Sequence, residues 1–233
     1  MAHLVIALDV NKKEALDLVK KLPENAKYFK IGHKLFTEAP EFITELNALN
    51  KKVFLDLKYH DIPSVVGLAI EAVSKKYNPF AITLHTSGGP KMIAEAAKSR
   101  NNLPEGNKPL LFGVTILTSL GLDDLKMLFG DKIADSTLET IVMRLAQLAK
   151  KNGFDGIVCS GKELSKVKFI LGKEFLTLVP GVQLAEGSLR MDQQRTSSIE
   201  EAAKIGDYLV VGRQITGAEN PAEMAEKILE VIK

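Results

Sequence analysis

Short runs of β-branched and apolar residues recur eight times along the 233 residues, each followed by a segment with helical spacing. The runs are His3–Val10, Tyr28–Gly32, Val53–Lys58, Ala81–His85, Leu110–Leu117, Gly156–Cys159, Leu176–Val182 and Tyr208–Gly212. Between them, Lys12–Lys21 and Glu139–Lys151 place apolar residues at three- and four-residue steps, the period of an amphipathic helix. Near-continuous apolar strands alternating with helices demand a parallel sheet covered by helices. Eight such units in this length predict a (β/α)₈ barrel, a TIM barrel, formed by residues 1–233 as one catalytic domain. The polar residues support this. Asp9, Lys30, Asp56, Lys58, His85, Thr118 and Arg213 fall at or just beyond the C-terminal ends of predicted strands, the face on which such barrels keep their chemistry. A doubly wound open sheet would need a glycine-bearing phosphate turn after its first strand, and Asp9-Val10-Asn11-Lys12 has no glycine.

Composition narrows the functional classes. Net charge is +2 with acids and bases interspersed, which is no footprint for nucleic acid or a polybasic membrane contact. The single cysteine, Cys159, excludes an intrachain disulfide and fits a reducing cytoplasm. The apolar start Met1–Leu8 lacks a basic leader and meets Asp9, so it reads as a strand and not as a signal peptide. No apolar run is long enough to span a bilayer.

The third run ends in Asp56-Leu57-Lys58-Tyr59-His60-Asp61-Ile62-Pro63. Alternation along a strand points Asp56 and Lys58 to one face, and a turn is expected to bring Asp61 back toward them. Carboxylate neighbours favour the charged form of a lysine, so the cluster reads as a proton donor that stays loaded at neutral pH. A strand-end salt bridge is the competing reading from spacing alone. Asp9 and Lys30 end neighbouring strands and are placed to pair across the barrel mouth, with a structural ion pair equally compatible. Pro180-Gly181 and Val211-Gly212-Arg213 follow strands seven and eight, where barrels of this kind often hold a phosphate; Gly212 admits close backbone approach and Arg213 supplies a bidentate cation. Gly156–Glu163 imitates a nucleotide-binding loop, but Glu163 replaces the hydroxyl residue and the segment contains a strand, so that function is rejected. His3, His33, His60 and His85 have no ligand-like spacing, and no metal site is expected. Two connections, Ser119–Ser136 and Gln183–Ser198, are longer than linkage requires and read as candidate lids.

Taken in order, Ala7-Leu8-Asp9, Phe29-Lys30-Ile31-Gly32, Phe54 through Pro63, Leu117-Thr118-Ser119, Val179-Pro180-Gly181-Val182, Asp192-Gln193 and Val211 through Ile215 resemble the orotidine 5′-monophosphate decarboxylase family nearly end to end. The resemblance implies conversion of orotidine 5′-monophosphate to UMP and CO₂ at the end of de novo pyrimidine synthesis. It implies a homodimer with shared active sites and no metal or organic cofactor. Carried over by position, Lys58 is the proton donor, Asp56 and Asp61 are its charged partners, and Asp61 comes from the other subunit. Asp9 and Lys30 match the ribose network, Ile62 and Thr118 substrate contacts, and Gln193, Gly212 and Arg213 the phosphate site. Gln183 stands where the family has arginine, leaving one phosphate-side cation missing unless Arg190 or Arg195 compensates. Val65 stands where it commonly has threonine, removing a hydroxyl expected near the neighbouring ribose. Two rivals remain: a Mg²⁺-dependent decarboxylase of 3-keto-L-gulonate 6-phosphate, which shares Asp-x-Lys-x-x-Asp, and a catalytically silent phosphate-ligand binder.

Overall fold

The computed structural model describes residues 2–130, 133, 137–184 and 197–233. Eight parallel strands close into a barrel: β1 His3–Ala7, β2 Tyr28–Ile31, β3 Lys52–Tyr59, β4 Ala81–His85, β5 Leu110–Val114, β6 Gly156–Val158, β7 Leu176–Pro180 and β8 Tyr208–Val211. Each pairs with its sequence neighbours, and β1 closes the ring on β8 with Val5 opposite Val210. The expected (β/α)₈ architecture is therefore present. Several strands stop short of their apolar runs: β1 ends at Ala7 and β5 at Val114, because the residues beyond them leave the wall to line its mouth. The seventh run breaks at Gly181, and Val182–Gln183 pairs instead with Ser197–Ser198. The helix expected at Lys12–Lys21 is found there. Asn11 starts it with a capping box, accepting from Glu14 N at 2.9 Å while Glu14 Oε2 accepts from Asn11 N at 3.2 Å. Helix Leu138–Lys151 begins one residue before its periodic pattern, where the Thr137 hydroxyl caps Thr140 N.

Apolar side chains fill two compartments. One lies between the barrel wall and the helices; the other fills the barrel itself. Inside the barrel, size falls from bottom to top. Tyr28, Phe54, Phe80, Phe112 and Tyr208 pack their rings near the N-terminal end, with centroids of Phe54 and Tyr208 5.0 Å apart. Burial, then Tyr28 and Asp207, push the Tyr208 phenol up to about 12, so this plug is neutral. Gly156 is required beside it, since a Cβ there would lie 2.4 Å from Leu176 O and 2.7 Å from the Phe112 ring. Above the plug come Ala7, Val114, Val158 and Val210, whose small volumes leave the top of the barrel open.

The bottom is tied by two equivalent polar staples, two strands apart. Asp155, just before β6, accepts from Leu111 N and Arg100 Nη1, both at 2.8 Å. Asp207, just before β8, accepts from Thr177 N at 2.7 Å, Thr177 Oγ1 at 2.8 Å and the buried Lys168 Nζ at 2.6 Å. Each carboxylate thus satisfies a strand-start N–H and anchors a helix cation, at the end remote from the cavity. No described helix is long and apolar enough to cross a membrane.

Candidate active site

A cavity of about 620 Å³ opens at the C-terminal mouth of the barrel, within the range of about 300–1,000 Å³ typical of small-molecule sites. One wall carries Asp9, Lys30, Asp56 and Lys58 from β1 to β3. The side adjoining Asp9, where β8 pairs with β1, carries Pro180 at the end of β7, Gly181, and Gly212 and Arg213 after β8. Ile116 through Ser119 close the third side. Asp9, Lys30, Asp56, Lys58, Thr118, Gly212 and Arg213, all singled out from sequence, therefore meet in one space. A Cβ at position 212 would make only an ordinary 3.5 Å contact with Ala7 Cβ, so packing does not demand glycine; its lack of a side chain leaves the backbone open toward the cavity.

The charged wall is an alternating chain. Lys30 Nζ lies 3.1 Å from Asp9 Oδ1 and 3.4 Å from Asp56 Oδ2, and Lys58 Nζ lies 2.9 Å from Asp56 Oδ1. The inner members are sequestered, with side-chain exposures of 12% for Lys30 and 11% for Asp56, while Asp9 remains 63% exposed. Burial alone would raise the Asp56 carboxyl; Lys30, then Lys58, overcome it and hold the group below the usual carboxylate range, with the Thr83 hydroxyl also contributing. Burial likewise works against Lys30, and Asp56 and then Asp9 raise it. Both shifts favour the ionised pair.

Simple strand alternation does not account for the Asp56–Lys58 contact. Along β3 the register runs from Leu55 opposite Ile82 to Tyr59 opposite Leu84, so Asp56, Leu57 and Lys58 together face Thr83 alone. Lys58 itself has φ 49°, in the left-handed region that costs a non-glycine residue about 1–2 kcal/mol. The other two such residues among those described, Asn50 and Asn78, follow helix ends, where this conformation is ordinary. Lys58, which faces the cavity, lies at no helix end, so its left-handed backbone has no such local explanation. Thr83 is the residue the sequence reading missed. Its place on β4 two residues after Ala81, on the barrel-facing parity, was the available signal.

Asp61 behaves differently from expectation. It is exposed, makes no ion pair with Lys58 in the same chain, and its Oδ1 accepts from Ile62 N at 2.6 Å. Ile62 and Val65 are also exposed, and none of the three lines the cavity. Gln183 does not line it either. Gln193, Arg190, Arg195 and most of the Gln183–Ser198 connection lie outside the described residues. The Ser119–Ser136 connection contains the helix Leu122–Phe129. The nucleotide-loop imitation is a local turn: Glu163 Oε2 accepts from Ser160 N at 2.8 Å and also from the Ser160 hydroxyl. His60 and His85 lie with ring centroids 5.4 Å apart; burial, then His60 and Lys58, lower His85 below the usual imidazole range. Among the described residues, no group of three or more His, Cys, Asp or Glu is arranged to hold a metal ion.

Residues 2–228 match the family described as Orotidine 5'-phosphate decarboxylase / HUMPS family. The chain is 40% identical over 233 residues to an orotidine 5'-phosphate decarboxylase of Carboxydothermus hydrogenoformans, covering 98% of this chain and 95% of that one. Among solved structures, an orotidine 5'-phosphate decarboxylase of Lactobacillus acidophilus superposes with TM-score 0.86 at 30% identity, covering 100% of both chains. An orotidine 5'-monophosphate decarboxylase of Methanocaldococcus jannaschii, complexed with the inhibitor BMP, gives TM-score 0.76 at 27% identity, covering 100% of this chain and 99% of that one.

Proposed function

The chain belongs to the orotidine 5′-phosphate decarboxylase family, and from that premise we propose that it converts orotidine 5′-monophosphate to UMP and CO₂ with Lys58 as proton donor and without metal or organic cofactor. The observation that carries this reading is the alternating Asp9–Lys30–Asp56–Lys58 chain on the cavity wall. Loss of CO₂ from C6 of the pyrimidine leaves a carbanion with no conventional electron sink. An ammonium beside C6 attracts that charge more strongly as it develops, which is the condition for lowering a barrier rather than merely binding substrate. Lys58 then delivers its proton to C6. Asp56, flanked by Lys30 and Lys58, keeps the amine in place and lies toward the departing carboxylate.

The remaining roles follow the cavity's geography. Asp9 and Lys30 serve the ribose, Thr118 the pyrimidine, and Gly212 with Arg213 the phosphate, at the corner farthest in sequence from the reacting group. Gln193 joins the phosphate site and cofactor independence enters the reading through family resemblance alone. Residues 1–233 act as one catalytic barrel.

The reading includes a homodimer in which Asp61 and Ile62 complete the partner's site. Two observations support it. Asp61 is exposed and unpaired with its own Lys58, and the first turns beside it present Ile62, Val65 and Leu68 to solvent, at 62%, 42% and 66% exposure. Apolar residues grouped this way mark an interaction face. The test is the fall in orotidine 5′-monophosphate absorbance with protein freed of metal by EDTA. Full turnover under those conditions is expected. Activity that vanishes with EDTA and returns with Mg²⁺ would overturn the cofactor-independent reading.

A further inference from the structure

Thr83 has one hydroxyl and two partners, both on β3. It donates to Asp56 Oδ1 at 2.9 Å and accepts from Lys58 N at 3.0 Å. The polarity is fixed, because a backbone N–H can only donate, an ionised carboxylate can only accept, and a hydroxyl carries a single proton. We propose that Thr83 is a positioning residue for the decarboxylation: its hydroxyl joins the backbone of Lys58 to the carboxylate that holds the Lys58 ammonium. This inference rests on Lys58 being the reacting amine.

The geometry explains why a side chain is needed. Regular alternation along β3 turns even-numbered N–H groups toward β2, as Lys52 N donates to Lys27 O, while Val53 O accepts from Phe80 N on the β4 side. Past the bulge, Lys58 N–H faces β4 instead. Here Asp56, Leu57 and Lys58 crowd against Thr83 alone, and the ladder is interrupted. The Thr83 hydroxyl takes the N–H that the ladder leaves over. The same atom holds the Asp56 oxygen that Lys58 Nζ contacts, at 2.9 Å. Both ends of the lysine are thus referred to one point, which holds its left-handed backbone in place. Thr83 is fully buried and does not line the cavity, so it acts through its neighbours and touches no substrate.

The experiment compares wild type, Thr83→Val and Thr83→Ser. Valine keeps the shape and loses both bonds; serine keeps both. For Thr83→Val, kcat for orotidine 5′-monophosphate is expected to fall by about tenfold to a hundredfold, the scale of a small misplacement of a reacting group. KM should change by less than about threefold, since the loss belongs to the transition state. Thr83→Ser should stay near wild type. The acid limb of the kcat–pH profile should move upward in Thr83→Val alone, as Asp56 loses a donor. In protein labelled with ¹⁵N-lysine, the Lys58 amide should exchange faster in Thr83→Val than in wild type. A Thr83→Val enzyme with wild-type kcat, or a Thr83→Ser enzyme that falls as far as Thr83→Val, overturns the proposal. If the wild type shows no turnover, the decarboxylase reading fails first; equal Lys58 amide protection in wild type and Thr83→Val then sinks this one separately. Should Thr83→Val not fold, Thr83→Ala removes the same hydroxyl and is read by the same outcomes.

Discussion

Lys58→Ala and Asp56→Ala should part company in stability although both abolish turnover. In the chain Asp9–Lys30–Asp56–Lys58, Lys58 is a terminal member and Asp56 an interior one. Removing Lys58 leaves Asp56 with Lys30 on one oxygen and the Thr83 hydroxyl on the other. Removing Asp56 leaves two ammonium groups facing each other across the gap, one of them well buried, with only the exposed Asp9 to balance Lys30. Stripping one partner from a buried ion pair costs about 3–5 kcal/mol. For a chain of this size that is roughly 6–20 °C in Tm, at about 2–4 °C per kcal/mol. Lys58→Ala should cost no more than about 1 kcal/mol, because no buried charge loses its last partner. Turnover, by contrast, falls in both. An ammonium about 3 Å from a carbanion, at an effective dielectric of about 20, contributes about 5 kcal/mol. That is between about three and four powers of ten in rate, before the lost proton donor is counted. The assay pairs thermal melts at equal protein concentration with single-wavelength kinetics on orotidine 5′-monophosphate. Near-normal kcat in Lys58→Ala, or melting as low as that of Asp56→Ala, would refute the reasoning.

Further outcomes test other parts of the molecule. Mixing Lys58→Ala and Asp61→Ala homodimers under subunit exchange should restore activity, since one site of each hybrid is wholly wild type; no recovery once hybrids are shown to form would remove Asp61 from the partner's site. Asp207→Ala should lower stability by about 3–5 kcal/mol in urea titrations, by stranding the buried Lys168, while kcat at a permissive temperature stays within about twofold of wild type; a selective loss of kcat would contradict its purely structural place. The His85 imidazole is lowered, so it is less readily protonated in the native state than in the unfolded chain: its contribution to stability is present above pH 6.5 and is lost as pH falls through its folded value. His85→Gln should therefore flatten the melting-temperature slope just below pH 6.5, with His3, also lowered chiefly by burial, supplying what remains. Asp56 gives the acid counterpart, stabilising above about pH 3.8 and losing that contribution as pH drops through its depressed value. A slope unchanged by His85→Gln would show that the histidine titrates alike in both states.

Period and polarity determined the barrel. Apolar runs at eightfold recurrence specify strands whatever their neighbours are, and the polar residues near the ends of six of the eight runs mark the face where strands end. Asp9, Lys30, Asp56, Lys58, Thr118, Gly212 and Arg213 were legible for that reason, as was the helix at Lys12–Lys21, whose cap and period are both local. Tertiary structure decided what depends on partners distant in the chain. Alternation put Asp56 and Lys58 on one face, yet their contact comes through a bulge against β4 and a left-handed lysine, set by pairing with a strand 25 residues away. Thr83 carries no motif; its value lies in facing three β3 residues at once. Asp61 sits beside Lys58 in sequence and apart from it in the folded chain, because the turn after β3 leads into a helix along the outside of the barrel. Local periodicity governs which residues form an element, while hydrogen-bond register between elements governs which of their side chains meet.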